Sequence, residues 1–306
     1  MDDTVLKITL AAFLHDIGKF AEGGMELLPG FEDGNAGLYL PQFNNEYTHR
    51  HALYTAAFID HIEKLLPAVF NKANWGLDDP FMNLAAGHHK PETPLQWIIA
   101  MADRLSSGMD RIEFDEYNKS IAWQNYRKTR LLPLFEHLGK DVYPTMRDKY
   151  CWCYPLKEIS AANIFPERRE THEPDENAIA RNEYKRLFDE FIFALEKLKH
   201  RKESVTLWLE HLDSLLLIFT STIPAARAGN IVPDVALYDH SRITAALASA
   251  LYIHHKETGT LNITSVQDDK PSKFLLIGGD SYGIQDFIFS DGGETGKARS
   301  KILRGR

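Results

Sequence analysis

Apolar residues at helical spacing in the first 110 residues are the feature that most constrains the fold. At the start of the chain they recur every three or four positions and give one apolar face. A segment with this pattern forms a helix that buries one stripe, and Gly18 is expected to end it. The residues of this face are Leu6, Leu10, Phe13, Leu14 and Ile17.

Three further helices are predicted in the same part of the chain. One spans residues 49–66 with Thr48 as its N-cap, a short one spans 80–87, and another begins at Pro94. Residues 21–47 are rich in Gly, Asn, Pro and acidic residues, so they are predicted to form a long irregular loop. The N-terminal part of the chain is therefore expected to fold as a helical bundle.

Histidine and aspartate residues lie at or near the ends of these predicted helices. They occur in LHDIGK at 14–19, HRHALYT at 49–55, GHHKP at 87–91 and MADRLSSG at 101–108. A mixed set of imidazole and carboxylate groups favours Mn, Fe, Co or Ni, whereas Mg prefers oxygen ligands. A divalent ion there would activate water and neutralise phosphate charge. The pattern predicts a metal-dependent phosphohydrolase with the ligands His15, Asp16, His51, His88, His89 and Asp103.

Lys19 follows the predicted end of the first helix closely enough to reach a phosphate oxygen as a compact positive charge. We therefore predict that the residues acting directly in the reaction are His15, Asp16 and Lys19.

Each of these motifs has a simpler explanation when it is considered alone. A His-Asp pair is common by chance, and two histidines before Pro91 are equally consistent with a solvated helix end. His49 and His61 are interpreted as surface residues. The order of the four motifs, each near a helix end, favours the metal site.

The charge balance argues against a free-standing nucleic-acid-binding protein and says nothing against an enzyme. The formal net charge is −8, so any nucleic-acid role needs a local basic groove or partner subunits. Cys151 and Cys153 are too few for a disulfide framework and are predicted to be reduced thiols. With no signal-peptide pattern and no membrane-length apolar segment, a cytoplasmic protein with no membrane association is expected.

Residues 125–170 are predicted to mix short β-like runs such as DKYCWCYPL with turns, and the chain that follows is predicted to be helical until a single strand. Helices are expected in EYKRLFDEFIFALEKLK, VTLWLEHLDSLLLIFTSTI and ALYDHSRITAALASALYIHHK, and KFLLIGGD reads as a strand. In the third helix Asp239 is interpreted as the N-cap, in preference to a second polar site with Asp234 and His240. One strand cannot form a sheet, so the last domain is expected to be cut short.

The order of these motifs resembles the HD domain of the large subunit of type III CRISPR effector complexes. Stretches such as CWCYPLKEISAANIFP, PDVALYDHSRITAALASALY and GGDSYGIQDFIFS resemble its Csm-type (III-A) form from the first helix to the last residue. The resemblance implies a mainly α fold with an HD-type helical bundle at 1–118, a helical connector at 119–270, and the beginning of a ferredoxin-like, cyclase-type α/β palm domain at 271–306.

The resemblance also implies a function. It is cleavage of single-stranded DNA with Mn, Ni or Co, inside a crRNA-guided complex of Csm-type subunits that target RNA activates. The family also converts ATP into cyclic oligoadenylate at a GGDD motif, which this sequence lacks, because GGD at 278–280 is followed by Ser281. We expect an N-terminal fragment that does not make this product. Residues predicted to lie near nucleotide are Asp280, Ser281, Gly283 and Gln285.

Other possibilities remain open from the sequence. The same metal site suits an HD phosphohydrolase that acts on nucleotides or cyclic dinucleotides, and a non-catalytic scaffold for partner subunits is a third hypothesis. The basic C-terminal residues are equally consistent with contacts to RNA or ATP phosphates and with a solvated tail: Arg299, Lys301, Arg304 and Arg306.

Overall fold

A computed structural model describes residues 3–70, 79–110, 123–138, 149–229 and 231–279. The chain divides into two compact units, Met1–Ser272 and Lys273–Arg306. The described residues are mainly helical, which confirms the predicted fold class. The two small sheets in this part of the chain are both antiparallel pairs.

Eleven α-helices and four short strands can be described in the first unit. The helices are α1 (Asp3–Phe13), α2 (Gly18–Gly24), α3 (Phe31–Tyr39), α4 (His51–His61), α5 (Phe81–Ala86), α6 (Pro94–Asp110), α7 (Arg169–His172), α8 (Asn177–Leu195), α9 (Val205–Thr220), α10 (Leu237–Glu257) and α11 (Ile263–Gln267). The strands are β1 (Gln42–Phe43), β2 (Glu46–Tyr47), β3 (Trp152–Cys153) and β4 (Glu167–Arg168).

One hydrophobic core joins the N-terminal helices to those that follow residue 123. Phe20 and Phe58 from the first part of the chain contact Phe188 and Phe191 on α8, with ring centroids 5.3–6.2 Å apart. Helix α10 packs against both α1 and α6, and α2 packs against α4 and α8. The predicted domain boundary at residue 118 lies outside the described residues and remains a prediction.

The prediction of an irregular loop over residues 21–47 is wrong. This segment contains the end of α2, all of α3 and the β1–β2 hairpin. Helix α3 forms because Ala36 and Tyr39 bury against α4, even though few of its residues are apolar. The two strands are joined by Asn44 and Asn45, both with positive φ, a conformation that asparagine tolerates in tight hairpins.

The first helix ends at Phe13, so Gly18 begins α2 and does not end α1. A Cβ atom at Gly18 would lie 1.8 Å from the carbonyl oxygen of His51 and 2.6 Å from the backbone nitrogen of Thr55. The absence of a side chain at this position therefore allows α2 to touch the start of α4.

We expect Gly18→Ala to lower the free energy of unfolding by about 3 kcal/mol, because the new methyl group overlaps with backbone atoms. Gly34→Ala in α3 is the matched control, since a Cβ atom at Gly34 would have nothing within 4 Å and helix propensity favours alanine. Urea denaturation of both variants measures the difference. Equal stability of the two would contradict the close approach at Gly18.

Both predicted N-caps are wrong. Thr48 donates its hydroxyl hydrogen to the carbonyl oxygen of Pro41 at 3.2 Å, and Arg50 occupies the N-cap position of α4. Helix α10 begins after Ala236, which places Asp239 in the first turn of the helix. In each case contacts with a neighbouring segment, and not a capping hydrogen bond, fix where the helix starts.

The predicted strand at 273–280 is also wrong for its described part. No strand occurs in residues 273–279, and Leu275, Leu276 and Ile277 are at least 80% exposed. No helix among the described residues is long and apolar enough to cross a membrane.

Candidate metal centre

Five segments of the chain bring histidine and aspartate side chains to one buried point. His15 and Asp16 lie in the turn between α1 and α2, and His51 is the first residue of α4. A 3₁₀ turn after α5 carries His88 and His89. The two long helices α6 and α10 contribute Asp103 and His240.

The Asp16 carboxylate is at the middle of this group. Its Oδ1 atom lies 3.1 Å from Nε2 of His51 and 3.8 Å from Nε2 of His88. Its Oδ2 atom lies 3.5 Å from Nε2 of His15 and 3.4 Å from Nε2 of His240. Each oxygen of the Asp16 carboxylate therefore faces a different pair of imidazoles.

Asp103 closes the opposite side of the group. Its Oδ1 atom lies 3.6 Å from Nε2 of His15 and 3.3 Å from Nε2 of His240. Ser107, one turn further along α6, donates to the same oxygen at 3.2 Å. This contact holds the carboxylate towards the two histidines.

Backbone carbonyl groups fix the orientation of two imidazoles. Nδ1 of His15 lies 2.7 Å from the carbonyl oxygen of Ala12, and Nδ1 of His88 lies 2.9 Å from that of Ala85. A carbonyl oxygen only accepts hydrogen bonds, so each Nδ1 carries the proton and each Nε2 has a lone pair. Hydrogen-bonded Nδ1 and free Nε2 is the arrangement of metal-binding histidines.

Two observations test whether these residues fit a divalent cation. Nε2 of His88 is buried and has no hydrogen-bond partner in the described part of the chain, which is costly unless something else binds it. Nε2 of His51 lies 2.8 Å from Nε2 of His89, where two lone pairs would repel each other without a shared proton or cation. Both features fit a bound metal.

Three sets of donor atoms each lie within 4.8 Å of one another, close enough to share an ion. Asp16, His15 and His88 each belong to two of these sets. All the sets together contain enough donors for more than one ion. They are Asp16, His51, His88 and His89; His15, His88 and Asp103; and His15, Asp16 and His240.

The electrostatics keep the carboxylates charged. Burial alone would raise the pKa of Asp16, but Lys19, His15 and His51 outweigh it and hold that pKa well below its usual range. Burial likewise opposes ionisation of Asp103, yet the nearby His15 and His240 lower its pKa strongly. Both side chains are therefore anionic ligands at neutral pH.

The same burial keeps the imidazoles neutral. It lowers the pKa of His88 to about 3, and the nearby His15 adds to the effect. Burial also lowers the pKa values of His51 and His89. Neutral imidazole is the form that binds metal.

The metal-free protein is expected to lose stability as the pH falls below about 6.5. Unfolded His88 takes up a proton near pH 6.5, but the folded side chain stays neutral until about pH 3. Acid therefore favours the unfolded chain in this window, by about 1.4 kcal/mol per pH unit for one group.

In a chelator, His88→Gln is expected to reduce the stability difference between pH 7.5 and pH 5 by roughly 2 kcal/mol. Urea melts at the two pH values measure it, and His61→Gln at the exposed end of α4 is the control. An unchanged pH dependence in the His88 variant would contradict the buried neutral imidazole.

The structure brings together all six predicted ligands, and their role in metal binding remains a proposal. Lys19 extends to the same point, where its Nζ atom is 2.5 Å from Oδ2 of Asp16. His49 is exposed, as predicted, but its ring centroid is 4.1 Å from that of His89. The predicted nucleotide-binding residues lie outside the described residues: Asp280, Ser281, Gly283 and Gln285.

His240 was not among the predicted ligands and was considered only as part of a second polar site with Asp234 and Asp239. It is 97% buried, and Nδ1 lies 3.1 Å from the hydroxyl oxygen of Ser106, while Nε2 faces Asp16 and Asp103. Its place in a helix of small residues was the available signal, because such residues let α10 approach α1 and α6 closely. Interpreting Asp239 as a cap left its neighbour His240 out of the predicted ligands.

The sequence pattern of the HD domain family matches residues 2–108. The chain is 29% identical to the type III-A Cas10/Csm1 single-strand-specific deoxyribonuclease of Methanocaldococcus jannaschii over a 334-residue alignment, which covers 99% of this chain and 36% of the relative. The protein of the same name from Streptococcus thermophilus is 27% identical over 226 residues, covering 68% of this chain and 27% of the relative. This chain has an HD domain and is similar along nearly its whole length to a type III-A Cas10/Csm1 protein.

The chain spans about a third of the length of the first of these Cas10/Csm1 relatives and about a quarter of the second. The chain is also similar to a crystal structure of Csm1 from T. onnurineus, with a TM-score of 0.49 and 17% identity. The matched region covers 99% of this chain and 35% of the Csm1 chain. The HD match ends at residue 108, so His240 comes from a part of the chain outside the matched domain.

Proposed function

We propose that this chain is the HD nuclease part of a Cas10/Csm1 large subunit and cleaves phosphodiester bonds of single-stranded DNA with a divalent metal. The observation that carries the proposal is the convergence of two buried carboxylates and five imidazoles on one point. The names of the relatives, which are single-strand-specific deoxyribonucleases, support the choice of substrate.

The side chains at this centre would have two roles, metal binding and positioning of the phosphate. The residues that would hold the metal are His15, Asp16, His51, His88, His89, Asp103 and His240. A divalent ion in this site lowers the pKa of a water molecule and neutralises phosphate charge. Because the donors are mostly nitrogen, Mn, Co or Ni fits better than Mg.

Lys19 would help to position the scissile phosphate. Its ammonium group is one-fifth exposed and paired with Asp16, at the edge of the buried group. When the Asp16 carboxylate binds metal, this positive charge is available to a phosphate oxygen. Lys19 thus acts as a point charge beside the reacting group.

Assembly with partners would supply what this chain lacks for nucleic-acid binding. A formal net charge of −8 gives no general attraction to DNA or RNA. We propose that Csm-type subunits and crRNA provide the basic surfaces, with target RNA as the activating ligand. ATP binding and cyclic oligoadenylate synthesis are proposed only for the longer family protein.

The test is to strip the purified chain of metal and to incubate it with end-labelled oligonucleotides and Mn²⁺, Co²⁺ or Ni²⁺. We expect cleavage of single strands, little cleavage of duplexes, and none in chelator. Unlabelled nucleotides and cyclic dinucleotides are added as competitors. If they are hydrolysed in preference to the oligonucleotide, the chain is a nucleotide phosphohydrolase and the proposal is wrong.

A further inference from the structure

A cavity of about 640 Å³ opens from the candidate metal centre and is larger than a phosphate group needs. Its volume is within the range of about 300–1,000 Å³ that is usual for small-molecule sites. Its lining includes Asp16, His51, His89, Asp103 and His240 of the candidate metal centre, together with polar residues such as Glu46, Thr48 and Arg50. It also includes a mainly apolar set, which we call the apolar wall: Tyr126, Ala225, Ala226, Ile231, Val232 and Val235.

The apolar wall is a fixed part of the fold. Two backbone hydrogen bonds close the loop that carries it, from Ala225 N to Val235 O at 2.9 Å and from Leu237 N to Ile223 O at 2.7 Å. This loop leads directly into α10, the helix of His240. The wall is therefore built on the same element as one side of the metal centre.

Arg227 ties the loop to the helix that follows the His-Asp turn. Its guanidinium donates to the carbonyl oxygen of Lys19 and forms an ion pair with Glu22 at 3.3 Å, and it lies 4.4 Å from the ring centroid of Tyr126. Thr129 donates to the carbonyl oxygen of Arg227 at 2.9 Å. These contacts hold the apolar wall at a set position relative to the metal ligands.

The chemistry of the wall indicates what it binds. Arg227 is the charged side chain among the lining residues of this loop, and it is nine-tenths buried and occupied by Lys19 and Glu22. The hydroxyl of Tyr126 is buried. The other side chains are alanine, valine and isoleucine, which suit the flat apolar face of a ring and do not recognise its hydrogen-bonding edge.

We infer that the apolar wall is a subsite for the nucleobase of the nucleotide whose phosphate lies at the metal centre, and that it accepts any base. This inference rests on the proposed function and adds to it a binding position for one base. Apart from the Tyr126 hydroxyl, which is buried and has no hydrogen-bond partner among the described residues, the apolar wall has no hydrogen-bonding side chains. Apolar contact with the face of a base gives affinity with little sequence preference, because every base has such a face.

The experiment compares two probes on the Mn²⁺-loaded chain by calorimetry. We expect deoxythymidine 5′-monophosphate to bind about tenfold more tightly than 2-deoxyribose 5-phosphate, which lacks the base. The adenine and cytosine monophosphates are expected to bind within about threefold of thymidine monophosphate. Equal affinity for the probes with and without a base would overturn the inference.

Variants of the apolar wall test whether its residues cause the tighter binding of the probes that carry a base. Ile231→Asn is expected to reduce the tenfold preference to about twofold or less, with metal content unchanged. Ile253→Asn, at a partly exposed position on α10, is the matched control and is expected to keep the preference. If Ile231→Asn does not fold, Val235→Ala is measured instead. A preference that survives in a folded wall variant would overturn the inference.

These outcomes are separate from those of the nuclease assay. DNA cleavage without a base preference in binding removes the subsite and leaves the proposed function intact. A base preference without DNA cleavage supports the subsite and contradicts the proposed nuclease activity.

Discussion

Replacing Asp16 with asparagine is expected to reduce DNA cleavage by about 10³-fold or more and to remove most of the bound metal. One oxygen of this carboxylate faces His51 and His88, and the other faces His15 and His240. The amide has a similar shape, but it loses the negative charge and one acceptor. No other side chain in the described part of the group contacts four of its histidines.

The measurement is metal content by mass spectrometry together with cleavage of a labelled single strand. Asp189→Asn is the control, because Asp189 forms an exposed ion pair with Lys185 on α8. A variant Asp16→Asn that keeps more than about a tenth of the activity would show that the reaction occurs elsewhere.

Replacing His240 with glutamine is expected to lower metal affinity by about 10- to 100-fold, and cleavage with it. Nε2 of His240 lies 3.3 Å from Oδ1 of Asp103 and 3.4 Å from Oδ2 of Asp16, so its loss removes a donor from the centre. Glutamine can still reach Ser106 and has a similar volume. The effect is therefore expected without a large loss of stability.

The control for this variant is on the same helix. His254→Gln changes a half-buried histidine whose ring lies against His255 and takes no part in the described donor sets. Calorimetry with Mn²⁺ is expected to give wild-type affinity for the control and weak binding for His240→Gln. Affinity within twofold of wild type in His240→Gln would exclude this residue from the site.

The role of His240 determines where the proposed nuclease part of the chain ends. The predicted HD bundle at residues 1–118 does not include His240, which α10 brings to the centre from 134 residues beyond Ser106. Helix α10 also packs against α1 and α6. We therefore expect a fragment that stops near residue 118 to bind metal more weakly than the whole chain.

The six ligands were predictable because they are local features of the sequence. Five of the six lie at or just beyond a helix end, where a side chain is free of the helix interior, and Asp103 lies within α6. The residue types match a mixed nitrogen and oxygen site. His240 lies inside a helix, and the small residues around it indicate close packing but do not distinguish it from a packed core histidine. Only the packing of α10 against α6 reveals its role.

The elements that were not predicted from the sequence also depend on packing between separate segments of the chain. Helix α3 is weakly apolar, and its existence depends on Leu53 and Ala56 of α4, which bury it. Gly18 was interpreted as a terminator, but it is required by the contact with His51 and Thr55. The apolar run at 273–279 has strand composition, yet none of these residues forms a strand, because composition alone does not make a strand and pairing is required.

The most direct test of the metal centre is an anomalous difference map from crystals of the chain grown with Mn²⁺. We expect a peak about 2.0–2.3 Å from an oxygen of Asp16 and from Nε2 of at least two histidines of the centre, including His15 or His88. No peak at this position, with the metal bound elsewhere or not at all, would contradict the account.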